Sequence, residues 1–307
     1  MSRKGNQING WLILDKPYGM SSNRALTIIK RNFNARKAGH SGTLDPLATG
    51  VLPVALGEAT KTVPFVFDGR KSYRFTVAWG TETNTHDIEG TVDFESENRP
   101  SVEDIRAVLG DFIGEIEQIP PRFSAIKVNG ERAYAKARDG EEFELEPRPV
   151  NIYTLEIIEI PDENHCVLEA TCGKGTYVRA IARDLGRKLG CYGHIKHLRR
   201  TRVGHFLENA SISLDKIEEL GHSAAGCEAL MDLLLPVEAA LDDIPALTVN
   251  SADAARLKRG QSVILRGRDA PIITGSVYAM SRGTLVALGN VQSGELRPIR
   301  VFNLQGA

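Results

Sequence analysis

The sequence predicts an α+β protein: a larger domain of mixed strands and helices up to about residue 243, then a small β-rich domain at 244–307. Three observations predict it. The chain has 307 residues, and at roughly 150 residues per domain that is about two domains. Strand-like and helix-like runs interleave irregularly as far as the acidic stretch ending at Asp243, after which short β-rich runs follow one another closely. Hydrophobic residues make up 42% and charged residues 25%, enough apolar material for a real core and too much for wholesale disorder.

In order, Gly10 to Asp15 (GWLILD) reads as a buried strand closed by the turn residues Lys16-Pro17-Tyr18-Gly19. Ser21 or Ser22 can cap a helix whose apolar face is Leu26, Ile29 and Phe33. A Gly-rich loop, Gly39 to Gly50, leads into the apolar run Val51 to Leu56. Tyr73 to Trp79 alternates as a strand does, and Val102 to Phe112 has helical spacing. Gln118 to Pro149 opens on Pro120-Pro121, carries an Asn129-Gly130 turn and is then densely charged. A stretch with so little core potential predicts an inserted arm over a ligand. Val150–Ile160 and Cys166–Cys172 read as strands and Thr176–Leu189 as a helix. Beyond residue 243, Ser262–Leu265, Ser276–Met280, Thr284–Val291 and Arg297–Phe302 surround one small helix, Ser251–Lys258, a barrel-like pattern.

Net charge is −1, yet the charges are segregated. Lys16 to Leu44 holds six basic residues and no acidic one, Lys174 to Phe206 nine against Asp184 alone, and Arg256 onward eight against Asp269 and Glu295. Glu82 to Gln118 holds eleven acids against Arg99 and Arg106. Such segregation predicts a positive face suited to a polyanion, RNA or DNA; separate solvated faces are the alternative. No apolar run reaches the roughly 18 residues of a membrane helix, and MSRKGNQING lacks the apolar stretch of a secretory signal. Four scattered cysteines without a CxxC pair predict reduced thiols, and with these absences a cytoplasmic protein.

Several motifs fail on inspection. Gly39-His40-Ser41-Gly42-Thr43 ends in Thr where a nucleophile elbow ends in Gly, and the segment before it is polar and basic where a strand is needed. Gly173-Lys174-Gly175-Thr176 has Leu168 where a P-loop needs its first glycine, and Val178 where the dinucleotide fingerprint needs its third. His194 and His197 have metal-ligand spacing but sit among Lys196, Arg199, Arg200 and Arg202, a field that repels a divalent cation. No metal and no nucleotide cofactor is expected.

Asp45 is the only acid between Lys16 and Val54, and Pro46 after it restricts its backbone. A lone carboxylate in a positive field stays ionised, as a carboxylate nucleophile must. An Asp-Pro step equally serves to cap a turn, and spacing leaves both readings standing.

The stretch GHSGTLDPLATGVLPVALGEATK (39–61) resembles the signature of the TruB family of tRNA pseudouridine synthases. KSYRFTVAWGTETNTHDIEG (71–90) and CGKGTYVRAIARDLG (172–186) resemble the family's next two motifs, and HLRRTRVGHF (197–206) the strand that completes the pocket. The tail resembles a PUA-type RNA-binding domain. The resemblance implies the pseudouridine-synthase fold, with a largely antiparallel mixed central sheet and flanking helices, and a PUA-like barrel behind it. It implies isomerisation of uridine 55 in the tRNA T-arm, with no cofactor, by a stand-alone monomer. Asp45 would be the nucleophile, Tyr73 the active-site tyrosine and Arg179 the partner of the aspartate. His40 would insert beside the flipped nucleotides, Lys61 would contribute phosphate or pocket electrostatics, and Tyr177 and Leu198 would line the uracil pocket. The arm at 118–149 would be the family's thumb. An idle RNA-binding protein on this scaffold, a glycosidic hydrolase or base-exchange enzyme, and a guide-RNA-dependent relative are the rival readings.

Overall fold

A computed structural model describes residues 5–128, 130–222, 226–265 and 273–304, with Cys227 lacking a described side chain. Its centre is a ten-stranded mixed sheet. Across it run Ile212–Ser213, Gly10–Lys16, Ala48–Leu56, Gly193–Val203, Lys71–Trp79, His165–Cys172, Arg148–Asp162 and Gly114–Gln118. Two short strands, Ala38–His40 and Phe206–Leu207, pair off this path. Only the pairings of Gly10–Lys16 with Ile212–Ser213 and of Ala48–Leu56 with Gly193–Val203 are parallel, so the sheet is largely antiparallel, as expected.

Local chemistry explains the elements. Ser21 caps the Ser22–Asn32 helix by accepting from the Arg24 N–H, and Ala25, Ile29 and Phe33 are the apolar face buried against Leu12, Leu14 and Leu52. On the other half of the sheet, Phe75, Val77, Ile152 and Leu168 pack against Ile181 and Leu185 of the Val178–Lys188 helix. The expected helix from Val102 ends at Leu109, its last turn tightening to a 3₁₀ turn at Gly110–Phe112. The parallel pairing that joins the two halves sets Arg200 opposite Gly50. Gly50 has φ +98°, and a Cβ there would lie 2.2 Å from the Arg200 carbonyl oxygen, so only glycine fits.

Two expectations change. A strand does precede Ser41: Ala38–His40 pairs with Val54–Leu56, the polar segment being carried by the apolar strand it pairs with. The elbow still fails, because the chain runs from buried Ser41 through a loop into another strand and no helix follows. The expected Thr176–Leu189 helix starts only at Val178, since Tyr177 is extended.

The segment after Gln118 forms a two-strand ladder, Lys127–Val128 with Glu131–Arg132, and a short helix, Ala133–Arg138. The expected Asn129-Gly130 turn includes Asn129, outside the described residues.

A second sheet, ordered Ala246–Thr248, Gly275–Ser281, Thr284–Gln292, Glu295–Val301 and Val263–Ile264, holds the helix Ser251–Lys258 on a core including Leu257, Val277 and Leu296. Arg266, Arg268 and Asp269 of the third charged tract lie outside the described residues. Leu285, Leu288 and Phe302 share a core with Trp11, Ile13 and Val51 of the central sheet, so the two sheets are in direct apolar contact.

Candidate active site

The loop bearing Asp45 is fixed from both sides through its backbone. The Ser22 hydroxyl accepts from the Leu44 N–H at 2.8 Å and donates to the Leu44 carbonyl at 2.9 Å. On the other side the Pro46 carbonyl accepts from Gly19 N–H at 2.9 Å and from Lys16 Nζ at 3.2 Å. Lys16 is fully buried and also donates to the Pro17 and Met20 carbonyls, and burial pushes its pKa down to about 8. With the backbone so held, the Asp45 carboxylate is left to face outward, where its Oδ2 lies 2.9 Å from Arg179 Nε.

Arg179 sits in the first turn of the Val178–Lys188 helix, and its guanidinium is used in three directions. Besides Asp45 it donates from Nη1 to the Thr85 carbonyl at 2.8 Å and from Nη2 to the Phe123 carbonyl at 2.9 Å, with Asp87 Oδ2 3.7 Å from Nη1. Asp87 is held by Thr85 Oγ1 at 2.6 Å and the Glu89 N–H at 3.1 Å. The Thr83–Glu89 loop is therefore the support behind the arginine, and the planar fork is what lets one side chain meet all these acceptors.

The pair opens into a cleft of about 440 Å³ whose walls include Asp45, Lys71, Tyr73, Phe123, Tyr177, Arg179 and Arg200. A recess of about 110 Å³ adjoins it, walled by Asp45, Tyr73, Tyr177, Arg179 and Leu198 together with Thr43 and Thr176. Five of the seven residues predicted from sequence thus meet around one recess. Burial raises the Tyr73 phenol, opposed by the charge of Arg200 and a hydrogen bond from it, and burial also raises Tyr177, so both are held as neutral phenols.

The other two stand apart. His40 lies outside both walls, half-buried, with Nε2 3.4 Å from Asn23 Oδ1 and a buried Nδ1 without a partner. Burial, helped by Arg200, lowers its pKa and leaves it neutral. Lys61 is not at the cleft. Closing the Gly57–Lys61 3₁₀ turn, it faces the second sheet, donating to Glu58 at 2.6 Å and the Val301 carbonyl at 2.7 Å, with its ammonium 5.7 Å from the Phe302 ring centroid. It fastens the two sheets together.

Arg200 and Lys71 are site residues that sequence reasoning passed over. Arg200 is 1% exposed and donates to the Val51 carbonyl at 2.8 Å and the Gly42 carbonyl at 3.0 Å. It lies opposite Tyr73 in the sheet. Lys71 donates to the Phe67 and Gly69 carbonyls, and burial together with Arg200 pushes its pKa down to about 8. The two-residue period of a strand was the available signal: it puts Arg200 on the face of Leu198, and Lys71 on the face of Tyr73. Among the described residues no cluster of His, Cys, Asp or Glu is placed as metal ligands, and burial pushes the Cys166 and Cys172 thiols up to about 12.

Residues 30–178 match the family model for the TruB family pseudouridylate synthase N-terminal domain, and residues 179–242 that for the tRNA pseudouridylate synthase B C-terminal domain. The chain belongs to the TruB pseudouridylate synthase family. Among TruB relatives, a tRNA pseudouridine synthase B of Bradyrhizobium diazoefficiens is 62% identical over 99% of this chain and 90% of its own. One from Caulobacter vibrioides is 53% identical over 98% of each. The pseudouridine-synthase fold is shared with solved structures: an H/ACA ribonucleoprotein bound to a substrate RNA containing 2′-deoxyuridine (TM-score 0.72, 26% identity, 96% of this chain and 85% of that one) and a Cbf5–Nop10–Gar1 complex (TM-score 0.72, 27% identity, 96% and 84%).

Proposed function

We propose that this chain is a tRNA pseudouridine synthase that isomerises uridine 55 of the T-arm, with Asp45 as nucleophile. The observation that carries the reading is the Asp45–Arg179 pair at 2.9 Å, opening into a recess lined by Tyr73, Tyr177 and Leu198. The cleft volume is in the range that takes a small ligand, here one extruded nucleoside. A uridine folded inside RNA has its C1′ out of reach, so the base is flipped, at a few kcal/mol of lost stacking and pairing. The N1–C1′ bond breaks and a C5–C1′ bond forms. The C5 hydrogen leaves as a proton, and N1 takes one up, so nothing is oxidised and no co-reactant is consumed.

In this reading Asp45 attacks C1′ or C6 and is regenerated when the new bond closes. Arg179 aims it, and Tyr73 packs on the base near the C5 proton. Residues 1–243 form the synthase domain with its thumb at about 118–149, and 244–307 a PUA-like RNA-binding domain. The substrate is held by phosphate contacts from the basic tracts, and the enzyme works as a cytoplasmic monomer without a metal. The test is tritium release from a T-arm stem-loop labelled at C5 of uridine 55 only. Release with a matching pseudouridine in the product is expected; free uracil or an unchanged RNA despite binding would overturn it.

Lys71 supplies a second, pH-dependent expectation. Lys71 lines the cleft, and its ammonium is charged below about pH 8 and neutral above it. RNA affinity should therefore fall as pH rises through about 8. Lys71→Met should weaken binding at pH 7, lower the salt slope by about one and lessen that fall. Lys16 titrates in the same range in both proteins, so the difference between them isolates Lys71. Identical salt slopes and pH curves would refute a phosphate contact.

A further inference from the structure

We propose that Gln118 is a positioning residue for the reaction: its side-chain amide holds the turn carrying Tyr177 and Arg179 and ties that turn to the root of the thumb. The inference rests on the reading of the Asp45–Arg179 recess as the reaction site.

The turn needs an outside support. It descends from Cys172 through Gly173-Lys174-Gly175, with Gly175 at φ +84°, a stretch with little conformational preference of its own. It ends at Tyr177, the N-cap of the Val178–Lys188 helix, which has no side-chain cap. A tyrosine has no short acceptor to close back on the first turn, so it is a poor residue for that position. Gln118 takes over the task with both ends of its amide. Oε1 accepts from the Tyr177 N–H at 2.9 Å, and Nε2 donates to the Tyr177 carbonyl at 3.2 Å. The same carbonyl accepts from the Ala180 and Ile181 N–H groups, so the amide is bonded to the atom that starts the helix. Gln118 is 2% exposed, so burial shields these bonds from bulk solvent.

Gln118 is also the last residue of the Gly114–Gln118 strand, paired with Arg148, the first residue of the returning strand. The thumb therefore leaves and re-enters the sheet at this one rung. Two further bonds bind its root to the same helix: Arg183 Nη2 donates to the Ile119 carbonyl at 2.8 Å, and Arg179 Nη2 to the Phe123 carbonyl at 2.9 Å. Any displacement of the thumb by bound RNA reaches Tyr177 and Arg179 through these three contacts. Arg200 differs: among the described residues it donates to the Val51 and Gly42 carbonyls and to Tyr73, none of them in the thumb.

Two variants separate positioning from mere packing. Gln118→Leu loses both bonds. Gln118→Glu has the same shape and still accepts from the Tyr177 N–H, but ionised it confronts the Tyr177 carbonyl with a second acceptor, and protonated it donates again. The charged and titratable groups around it are Arg148, Arg179, Arg183 with Asp184, Asp87, Asp45 and the Tyr177 phenol. With T-arm RNA, Gln118→Leu should lower kcat about 30-fold, the scale of a small misplacement of reacting groups, with RNA Kd changed less than about threefold. Gln118→Glu should be similarly slow near pH 8 and recover toward wild type, as a ratio of rates at each pH, when pH falls toward about 5.5.

A flat Glu-to-wild-type ratio, or losses shared equally by kcat and Kd, would overturn the proposal. If Gln118→Leu fails to fold, shown by its Tm, the Glu variant's ratio still decides. Wild type releasing no tritium would sink the function itself; wild-type release with unaffected Gln118 variants would sink only this inference.

Discussion

Asp45→Ala is expected to stop tritium release from the T-arm substrate, a fall of roughly five to six orders of magnitude in kcat, the scale seen when a covalent nucleophile is deleted. RNA Kd should stay within about threefold of wild type or tighten. The reason lies in how the loop is built. Its position depends on the Ser22, Gly19 and Lys16 bonds to the Leu44 and Pro46 backbone, none of which involves the Asp45 carboxylate. That carboxylate is 43% exposed, so its removal leaves no cavity in the core. Arg179 keeps the Thr85 and Phe123 carbonyls as acceptors and Asp87 nearby. Taking one negative charge out of a basic cleft cannot weaken attraction for a polyanion. The check is single-turnover tritium release beside filter binding on the same protein. Residual turnover within a hundredfold of wild type, or binding lost along with activity, would remove Asp45 from the nucleophile's role.

Arg179→Lys should lower kcat by about 10²–10³, the range for losing one preorganised electrostatic partner, with Kd changed less than about threefold. Lysine keeps the charge but has a single point of attachment, so it cannot meet Asp45, Thr85 and Phe123 together. Arg179→Ala should be at least as slow and also less stable, by about 1–3 kcal/mol for each buried carbonyl left without its donor. Thermal unfolding separates the two variants: the lysine protein should melt between wild type and the alanine protein. Equal losses in affinity and rate would make Arg179 an RNA-binding residue and no partner of Asp45.

Much of this was legible in the chain. The strands from Gly10, Tyr73, Val150 and Cys166 announce themselves by apolar runs or alternation, and the Ser251–Lys258 helix lies within the bounds read from sequence. Asp45 is conspicuous as a lone acid in a basic tract, although position alone left capping and catalysis both open. Its carboxylate faces Arg179, 134 residues away in the chain, a pairing that was not visible in local spacing. Lys61 shows the converse. Nearness in sequence to the Asp45 motif suggested the cleft, yet the strand Ala48–Leu56 runs between them and delivers Lys61 to the opposite end, against Val301. Gln118 gave no signal, because an amide bonding a backbone carries no charge pattern or period.

By itself, then, the sequence determined what depends on neighbours in the chain: periodicity, turn chemistry, segregated charge, and motifs carried within single segments. The tertiary structure alone decided which segments converge. Parallel pairing of Ala48–Leu56 with Gly193–Val203 sets Arg200 beside Gly50, antiparallel pairing with Lys71–Trp79 sets it beside Tyr73, and the segment that starts at Gln118 brings Gln118 and Phe123 onto the helix of Arg179. Such contacts hold because burial makes each unpaired polar group costly. That cost exists only once the sheet has closed around them, so no short stretch of sequence records it.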